Sequence, residues 1–313
     1  MNTSTATSAP SNPAPSNPVP SNPVPTPRSA SNRFPDRYGP WAVVTGASDG
    51  IGRDIARNAA RRGLHVVLVA RRESRLRELA TEIEQHGVEA RVVAADLATA
   101  DGLERVRRET ADLDVGLLVA AAGFGTSGSF LETSLDDEHS MLDVNCGAVL
   151  SLAHHFAGRF VQRGRGGLVL MSSIVAFQGV PRAAHYAATK AWVQTLAEGL
   201  RRELAPHGVD VLASAPGPVA SGFAARADMQ MDGALDPSLI GGATLDALGR
   251  TGTVRPGWLS KLLGYSLAML PRAARTLIMT AVMHGMTKHQ EKSQSDRGQA
   301  ATPAVATSRG DAS

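Results

Sequence analysis

Tyr186 and Lys190 stand four residues apart in Ala184-His185-Tyr186-Ala187-Ala188-Thr189-Lys190. On a helix that spacing puts a phenol and an ammonium on one face. The chain has only three tyrosines and four lysines, so composition alone does not make this pairing commonplace. An isolated phenol, with a pKa of about 10, is too weakly ionised at neutral pH to serve as a base. A neighbouring ammonium favours its ionised form, so the pairing predicts a phenol shifted toward neutrality. Ser172-Ser173 lies upstream at the end of an apolar run. A hydroxyl there and the phenol could converge on one substrate oxygen, which is the requirement for proton transfer at a carbonyl or alcohol.

Such chemistry needs a hydride partner, and a second motif supplies a place for one. Thr45-Gly46-Ala47-Ser48-Asp49-Gly50-Ile51-Gly52 follows the apolar run Trp41-Ala42-Val43-Val44 and opens an apolar-periodic segment from Ile51 to Arg62. Glycines there let the backbone approach a pyrophosphate closely, and the free N–H groups of a helix start favour its charge.

The pattern between residues 34 and 252 alternates strand and helix. Apolar runs at 41–44, 65–70, 91–95, 116–120, 167–171 and 210–213 are separated by helix-like segments, including a charged one at 73–86 and a long one carrying Tyr186 and Lys190. Continuous apolar runs imply strands buried on both faces. Strand and helix at this pitch give βαβ units and an α/β fold with a doubly wound parallel sheet. Residues 1–33 hold near-repeats such as Ser11-Asn12-Pro13-Ala14-Pro15 and Ser16-Asn17-Pro18-Val19-Pro20. They lack apolar side chains to offset ordering entropy and are expected to be a disordered tail, as is the polar segment 291–313. Residues 253–290 form an apolar extension expected to be helical.

Together the glycine turn and the Tyr-Lys segment resemble the short-chain dehydrogenase/reductase family, and in particular its NADP-dependent ketone and 3-oxoacyl reductases. Residues 45–52 match that family's Thr-Gly-x-x-x-Gly-x-Gly at each fixed position. The resemblance covers about residues 38–225 and implies a Rossmann-like single domain. It implies catalytic roles for Asn145, Ser173, Tyr186 and Lys190. Ser173 is preferred to Ser172 because the family's serine lies thirteen residues before the tyrosine. Lys190 would bind the nicotinamide ribose, with Asn145 linked to it through water. Gly46, Ser48, Asp49, Gly50, Ile51 and Gly52 would hold the pyrophosphate, and Asp96 and Leu97 the adenine. Pro216, Val219 and Ser221 resemble the family's Pro-Gly-x-x-x-Thr turn, with serine in place of threonine. One departure stands out. The usual Asn-Asn-Ala-Gly is here Ala120-Ala121-Ala122-Gly123, so Ala121, Ala122 and Gly123 can contact a cofactor only by backbone. The missing amide side chain predicts a local substitute that braces the sheet.

An NAD-dependent dehydrogenase usually ends its second strand with a carboxylate for the ribose 2′-hydroxyl. Ala70 stands there instead, followed by Arg71 and Arg72. Guanidinium groups suit a 2′-phosphate, so NADP(H) is the expected cofactor. The implied activity is hydride transfer between NADP(H) and a carbonyl or alcohol substrate, such as a lipophilic ketone or 3-oxoacyl compound. Alternatives are an alcohol-oxidising sugar or steroid dehydrogenase and a non-catalytic NADP(H)-binding regulatory protein.

Composition sets bounds. The net charge of +3 and arginine clusters interleaved with acids read as solvated helix faces and argue against a nucleic-acid partner. Cys146 is the only cysteine, which excludes an intrachain disulfide and a cysteine-based zinc site and leaves a small buried thiol. No metal is expected. With no apolar leader, a cytoplasmic location is expected, as a homodimer or homotetramer. His185 is expected to be a pocket-wall or surface residue, Phe177, Gln178 and Val180 to line the substrate pocket, and residues 222–250 to form a mobile loop. Residues 256–290 carry Lys261, Pro271, Arg272 and Arg275 among apolar residues, which argues against a membrane span. They read as a wall for a lipophilic substrate, an oligomer contact, or a peripheral membrane contact.

Overall fold

The structure, a computed structural model, describes residues 34–231 and 233–300, with the side chains of 259 and 291–300 left out. The expected tails at 1–33 and 301–313 therefore lie outside the described residues. A short α1 (Phe34–Tyr38) leads into β1 (Trp41–Thr45), α2 (Gly50–Arg61), β2 (His65–Ala70), α3 (Glu73–Glu84), β3 (Ala90–Ala94), α4 (Ala100–Glu109) and β4 (Val115–Ala120). The second half runs α5 (Leu135–Leu142), α6 (Ala148–Arg163), β5 (Gly166–Met171), α7 (Ala184–Leu204), β6 (Val209–Ser214), α8 (Gly222–Arg226), α9 (Ser238–Ala247), β7 (Thr253–Val254), α10 (Trp258–Ala268) and α11 (Arg272–Ala300).

All strands pair in parallel, in the order β3-β2-β1-β4-β5-β6-β7. Strand order reverses between β1 and β4, and ligands bind such sheets in the crevice beyond the carboxyl ends at that point. Alternate residues of each strand feed opposite layers. Val43, Val67, Val69 and Leu118 pack with Val106, Phe156, Phe160 and Val193 of α4, α6 and α7. Ala42, Val44, Leu68 and Val119 pack with Ile55, Leu76, Leu79 and Ile83 of α2 and α3. Every residue of β1, β4 and β5 is buried, which explains why their sequences read as unbroken apolar runs.

Three expectations need correction. Residues 222–250 are not one loop, since they contain α8 and α9. Gly241 of α9 lies so close to α2 that a Cβ there would stand 2.2 Å from Asp54 Oδ2, and its N–H donates to that oxygen at 2.8 Å. That buried hydrogen bond anchors α9 on the domain. The boundary drawn at 252/253 cuts through the sheet, because Thr253 and Val254 pair with Ala213 and Ser214. Two residues are too short for a periodic signal. Finally, α11 continues through the start of the segment expected to be disordered, as far as Ala300. Glu291, Lys292 and Gln294 are good helix formers, and propensity sustains the helix where apolar periodicity ends.

Candidate active site

The β1–α2 turn is built around backbone that side chains would block. Gly46 (φ 68°) and Gly50 (φ 53°) occupy the left-handed region, and a Cβ on Gly52 would stand 2.4 Å from the Gly46 carbonyl oxygen. Asp49 caps α2, its Oδ1 accepting from Gly50 N at 2.7 Å, while Oδ2 accepts from Gly222 N at 3.3 Å. Arg72 reaches the same turn, its Nη2 donating to Ser48 Oγ at 3.1 Å.

Thr45, the first fixed residue of the glycine motif, braces the wall where the asparagine is missing. Its buried Oγ1 accepts from both Ala121 N and Ala122 N at 3.0 Å and donates to Val119 O at 3.4 Å. Asn145 supports the next residue of this wall. It lies in a π-helical turn (Asp143–Gly147) between α5 and α6. Its Oδ1 accepts from Phe124 N at 3.1 Å, and its Nδ2 donates to Phe124 O at 2.9 Å and to Thr189 Oγ1 at 3.0 Å. Both lone backbone groups of Phe124 are thus satisfied, and the segment that follows β4 is fastened to α7 through Asn145 and Thr189.

The two serines separate cleanly. Ser172 turns inward, its Oγ donating to Lys190 O at 3.1 Å. Ser173 caps a 3₁₀ turn (Ile174–Phe177) and hydrogen-bonds the Tyr186 phenol. Lys190 donates from Nζ to Met171 O at 2.9 Å and lies 5.8 Å from the centre of the Tyr186 ring. A Cβ on Gly123 would touch both Asn145 Oδ1 and Lys190 Nζ, so backbone, amide and ammonium meet at one point.

The expected lowering of the phenol does not occur in this arrangement. Burial pushes Tyr186 up to about 12, against the opposing hydrogen bond with Ser173. Burial also lowers Lys190, to about 8. Desolvation outweighs charge proximity because the ammonium is drawn aside to the Met171 carbonyl. The phenol is consequently a fully protonated donor at neutral pH. Burial likewise raises Cys146, to about 11, in keeping with a small buried thiol.

A cavity of about 790 Å³ connects these parts. One end is lined by Gly46, Ser48, Asp49, Gly50, Ile51 and Gly52, with Arg71, Arg72, Asp96 and Leu97 at its rim. The middle holds Ala121, Ala122, Gly123, Ser173, Tyr186 and Lys190, with Pro216, Val219 and Ser221 opposite. Every anticipated site residue but Asn145 lines it, and Asn145 acts from behind.

The far end was largely missed by sequence reasoning. Phe177, Gln178 and Val180 do not line the cavity. Phe177 lies under Arg255 (4.6 Å), Gln178 Nε2 turns back to Ile174 O at 3.0 Å, and Val180 is buried against Met279 and Met283. Ile174, Val175 and Ala183 line it instead, with Phe223 and Met229 from the α8 region and Leu267, Met279, Met283 and Met286 from α10 and α11. The spacing of Met279, Met283 and Met286 was a helical stripe available in the sequence. His185 is neither bare wall nor free surface. Its Nδ1 bonds the buried carboxylate of Glu138, which also accepts from Thr126 Oγ1 at 2.7 Å.

The end of α11 fastens the cavity rim. Gln290 donates to Ser127 Oγ (3.0 Å) and Asp228 O (2.8 Å) and accepts from Arg182 (3.2 Å). Arg182 (φ 64°) and Asp228 (φ 49°) are the two non-glycine residues with left-handed backbone among the described residues. Strained positions such as these persist where surrounding bonds hold them.

Known proteins resemble this chain across the sheet that carries the cavity. The family model described as short chain dehydrogenase matches residues 40–232. A 7beta-hydroxysteroid dehydrogenase of Clostridium sardiniense is 38% identical over 180 residues, covering 57% of this chain and 69% of that protein. A very-long-chain 3-oxoacyl-CoA reductase of Podospora anserina is 38% identical over 181 residues, 56% of this chain, which spans only 53% of that protein's length. Among solved structures, a short-chain dehydrogenase of Sphingobium yanoikuyae in complex with NADPH superposes with a TM-score of 0.67 at 30% identity, covering 74% of this chain and 94% of its own. A 7beta-hydroxysteroid dehydrogenase structure gives a TM-score of 0.73 at 27% identity, covering 79% of this chain and 99% of its own. A model match across the sheet and its crevice, together with relatives that align along most of their length, leaves one assignment: this chain belongs to the short-chain dehydrogenase family, whose members are oxidoreductases.

Proposed function

We propose that this chain reduces a bulky lipophilic ketone or 3-oxoacyl compound with NADPH, the reverse oxidation being available at the same site. The observation that carries the reading is the continuous cavity. It runs from the glycine turn, past Ser173, Tyr186 and Lys190, to a wall of methionine and leucine. A dinucleotide fits the first part because the glycine turn leaves its backbone bare where a Cβ would collide. NADPH would supply hydride to the carbonyl carbon. The protonated Tyr186 phenol gives its proton to the carbonyl oxygen, and Ser173 donates a second hydrogen bond that orients that oxygen. Lys190 binds ribose hydroxyls, and Asn145 holds the backbone wall beside it.

Preference for NADP(H) is inferred from Arg71 and Arg72 next to Ala70, where no carboxylate stands to repel a 2′-phosphate. The names of the relatives fit an apolar substrate end, one carrying a steroid and the other a very long acyl chain. The test is NADPH oxidation against a panel of ketones, hydroxysteroids and 3-oxoacyl thioesters. Tyr186→Phe should lower turnover by about 10²–10⁴-fold while NADPH affinity stays near that of the parent. Unchanged turnover in that variant would remove the phenol from the mechanism, and NADPH binding without turnover of any compound in the panel would favour a non-catalytic NADP(H)-binding protein. Removing both arginines should cost about 10–100-fold in NADPH affinity and leave NADH affinity unchanged.

A further inference from the structure

The outer face of α10 and α11 is apolar although their inner faces already have partners. Ser260, on the inner side of α10, accepts from Gly217 N at 2.7 Å, and Arg255 lies over the Phe177 ring at 4.6 Å. Leu263 and Leu267 line the cavity. The opposite side presents Trp258, Leu262, Tyr265 and, just past the helix, Met269, at intervals of four, three and four residues. That is the spacing of one helical stripe. Met269 is 87% exposed and Trp258 68% exposed, and Leu277 of α11 is also exposed.

Two observations say what covers this stripe. First, its charge has a single sign. From Ala247 to Gln290 the sequence carries Arg250, Arg255, Lys261, Arg272, Arg275 and Lys288 and no aspartate or glutamate. Lys261 and Arg272 are exposed beside the stripe. A second copy seated face to face would set like charges together, whereas an anionic lipid surface complements them. Trp258 and Tyr265 are the aromatic types that favour the headgroup boundary. Secondly, the same two helices wall the cavity: Leu263 and Leu267 of α10 and Ile278 and Val282 of α11 line it, the latter two 41% and 45% exposed. Among the described residues no helix is long and apolar enough to cross a membrane, so such a surface would rest on lipid rather than span it.

We propose that the outer face of α10 and α11 docks on an anionic lipid surface and admits lipophilic substrate to the cavity directly from it. The second half of this statement rests on the proposed substrate class, while the docking itself does not.

The test uses the full chain and needs no catalysis. Protein is sedimented with vesicles of phosphatidylcholine alone or of phosphatidylcholine with one-third phosphatidylserine, and Trp258 emission is followed with a Trp258→Phe control. Binding to the mixed vesicles, with a blue shift absent from the control, is the expected result. The paired changes Lys261→Glu with Arg272→Glu, and Leu262→Ser with Met269→Ser, should each weaken partition by at least about ten-fold. None of these residues lines the cavity, so NADPH binding should persist and certify folding. Protein left in the supernatant with both vesicle types would overturn the proposal, as would binding that survives both pairs of changes. A particle size that falls in the apolar variant, without vesicle binding by the parent, would assign the face to a second copy and likewise overturn it.

Discussion

Thr45→Val isolates the hydroxyl that braces the Ala121-Ala122 wall. Valine matches threonine in shape, so no cavity opens, and the change deletes one hydroxyl at a site only 1% exposed. That oxygen accepts from Ala121 N and Ala122 N, both at 3.0 Å. Ala121 N keeps a second acceptor, Val119 O at 3.1 Å, so the uncompensated loss falls on Ala122 N. An unsatisfied buried donor costs about 1–3 kcal/mol, and the part-buried Ala122 N falls toward the lower end of that range. For a domain of this size that corresponds to a fall in Tm of about 2–12 °C. Because Ala121 to Gly123 form the cavity wall, NADPH affinity should fall as well. Thr45→Ser keeps the oxygen and should leave that affinity near the parental value, although a lost methyl costs it about 1 kcal/mol of stability. Thermal unfolding by circular dichroism and NADPH fluorescence titration read both effects. A valine variant with parental Tm and affinity would refute the assignment, and so would a serine variant that binds NADPH as poorly as the valine variant.

Gly52→Ala places a methyl 2.4 Å from the Gly46 carbonyl oxygen, so NADPH affinity measured by fluorescence should fall at least ~10-fold. Glu138→Ala leaves Thr126 Oγ1 and His185 Nδ1 without their shared acceptor and should destabilise the protein by about 1–3 kcal/mol in urea unfolding, with Glu138→Gln milder. Equal damage from both would point to packing rather than to hydrogen bonding. Lys190 titrates at about 8 in the folded protein, against about 10.4 when unfolded. Between these values the unfolded chain holds the extra proton, so this lysine makes stability rise with pH across that window. Urea midpoints should show that rise in the parent and lose it in Lys190→Met; parallel curves would contradict it.

The nucleotide half of the molecule was written plainly in the chain. Strands buried on both faces must be apolar at every position, and β1, β4 and β5 show this as unbroken runs. The glycine turn was legible for a similar reason, because steric limits at Gly46, Gly50 and Gly52 admit few other residues. The substrate end was not legible. Its wall comes from Met229, Leu267, Met279 and Met283, and apolar side chains there satisfy any core as well as any pocket. Glu138 and Thr45 were missed because their roles depend on partners 47 and 76 residues away. The phenol's pKa was misjudged since sequence spacing reports charge proximity but is silent on burial.

Gln290, close to the end of the described chain, ties down Ser127, Arg182 and Asp228, three positions drawn from well-separated stretches of sequence. Translation delivers residues 45–52 long before residue 290, so the glycine turn is complete while the opposite end of the cleft still lacks its α10 and α11 wall. Under the proposed function, a nascent or shortened chain ending before Trp258 would bind the dinucleotide but lack the α10 and α11 wall of the substrate end. Comparing NADPH fluorescence with ketone-dependent turnover in such a chain would show whether the two abilities mature in that order.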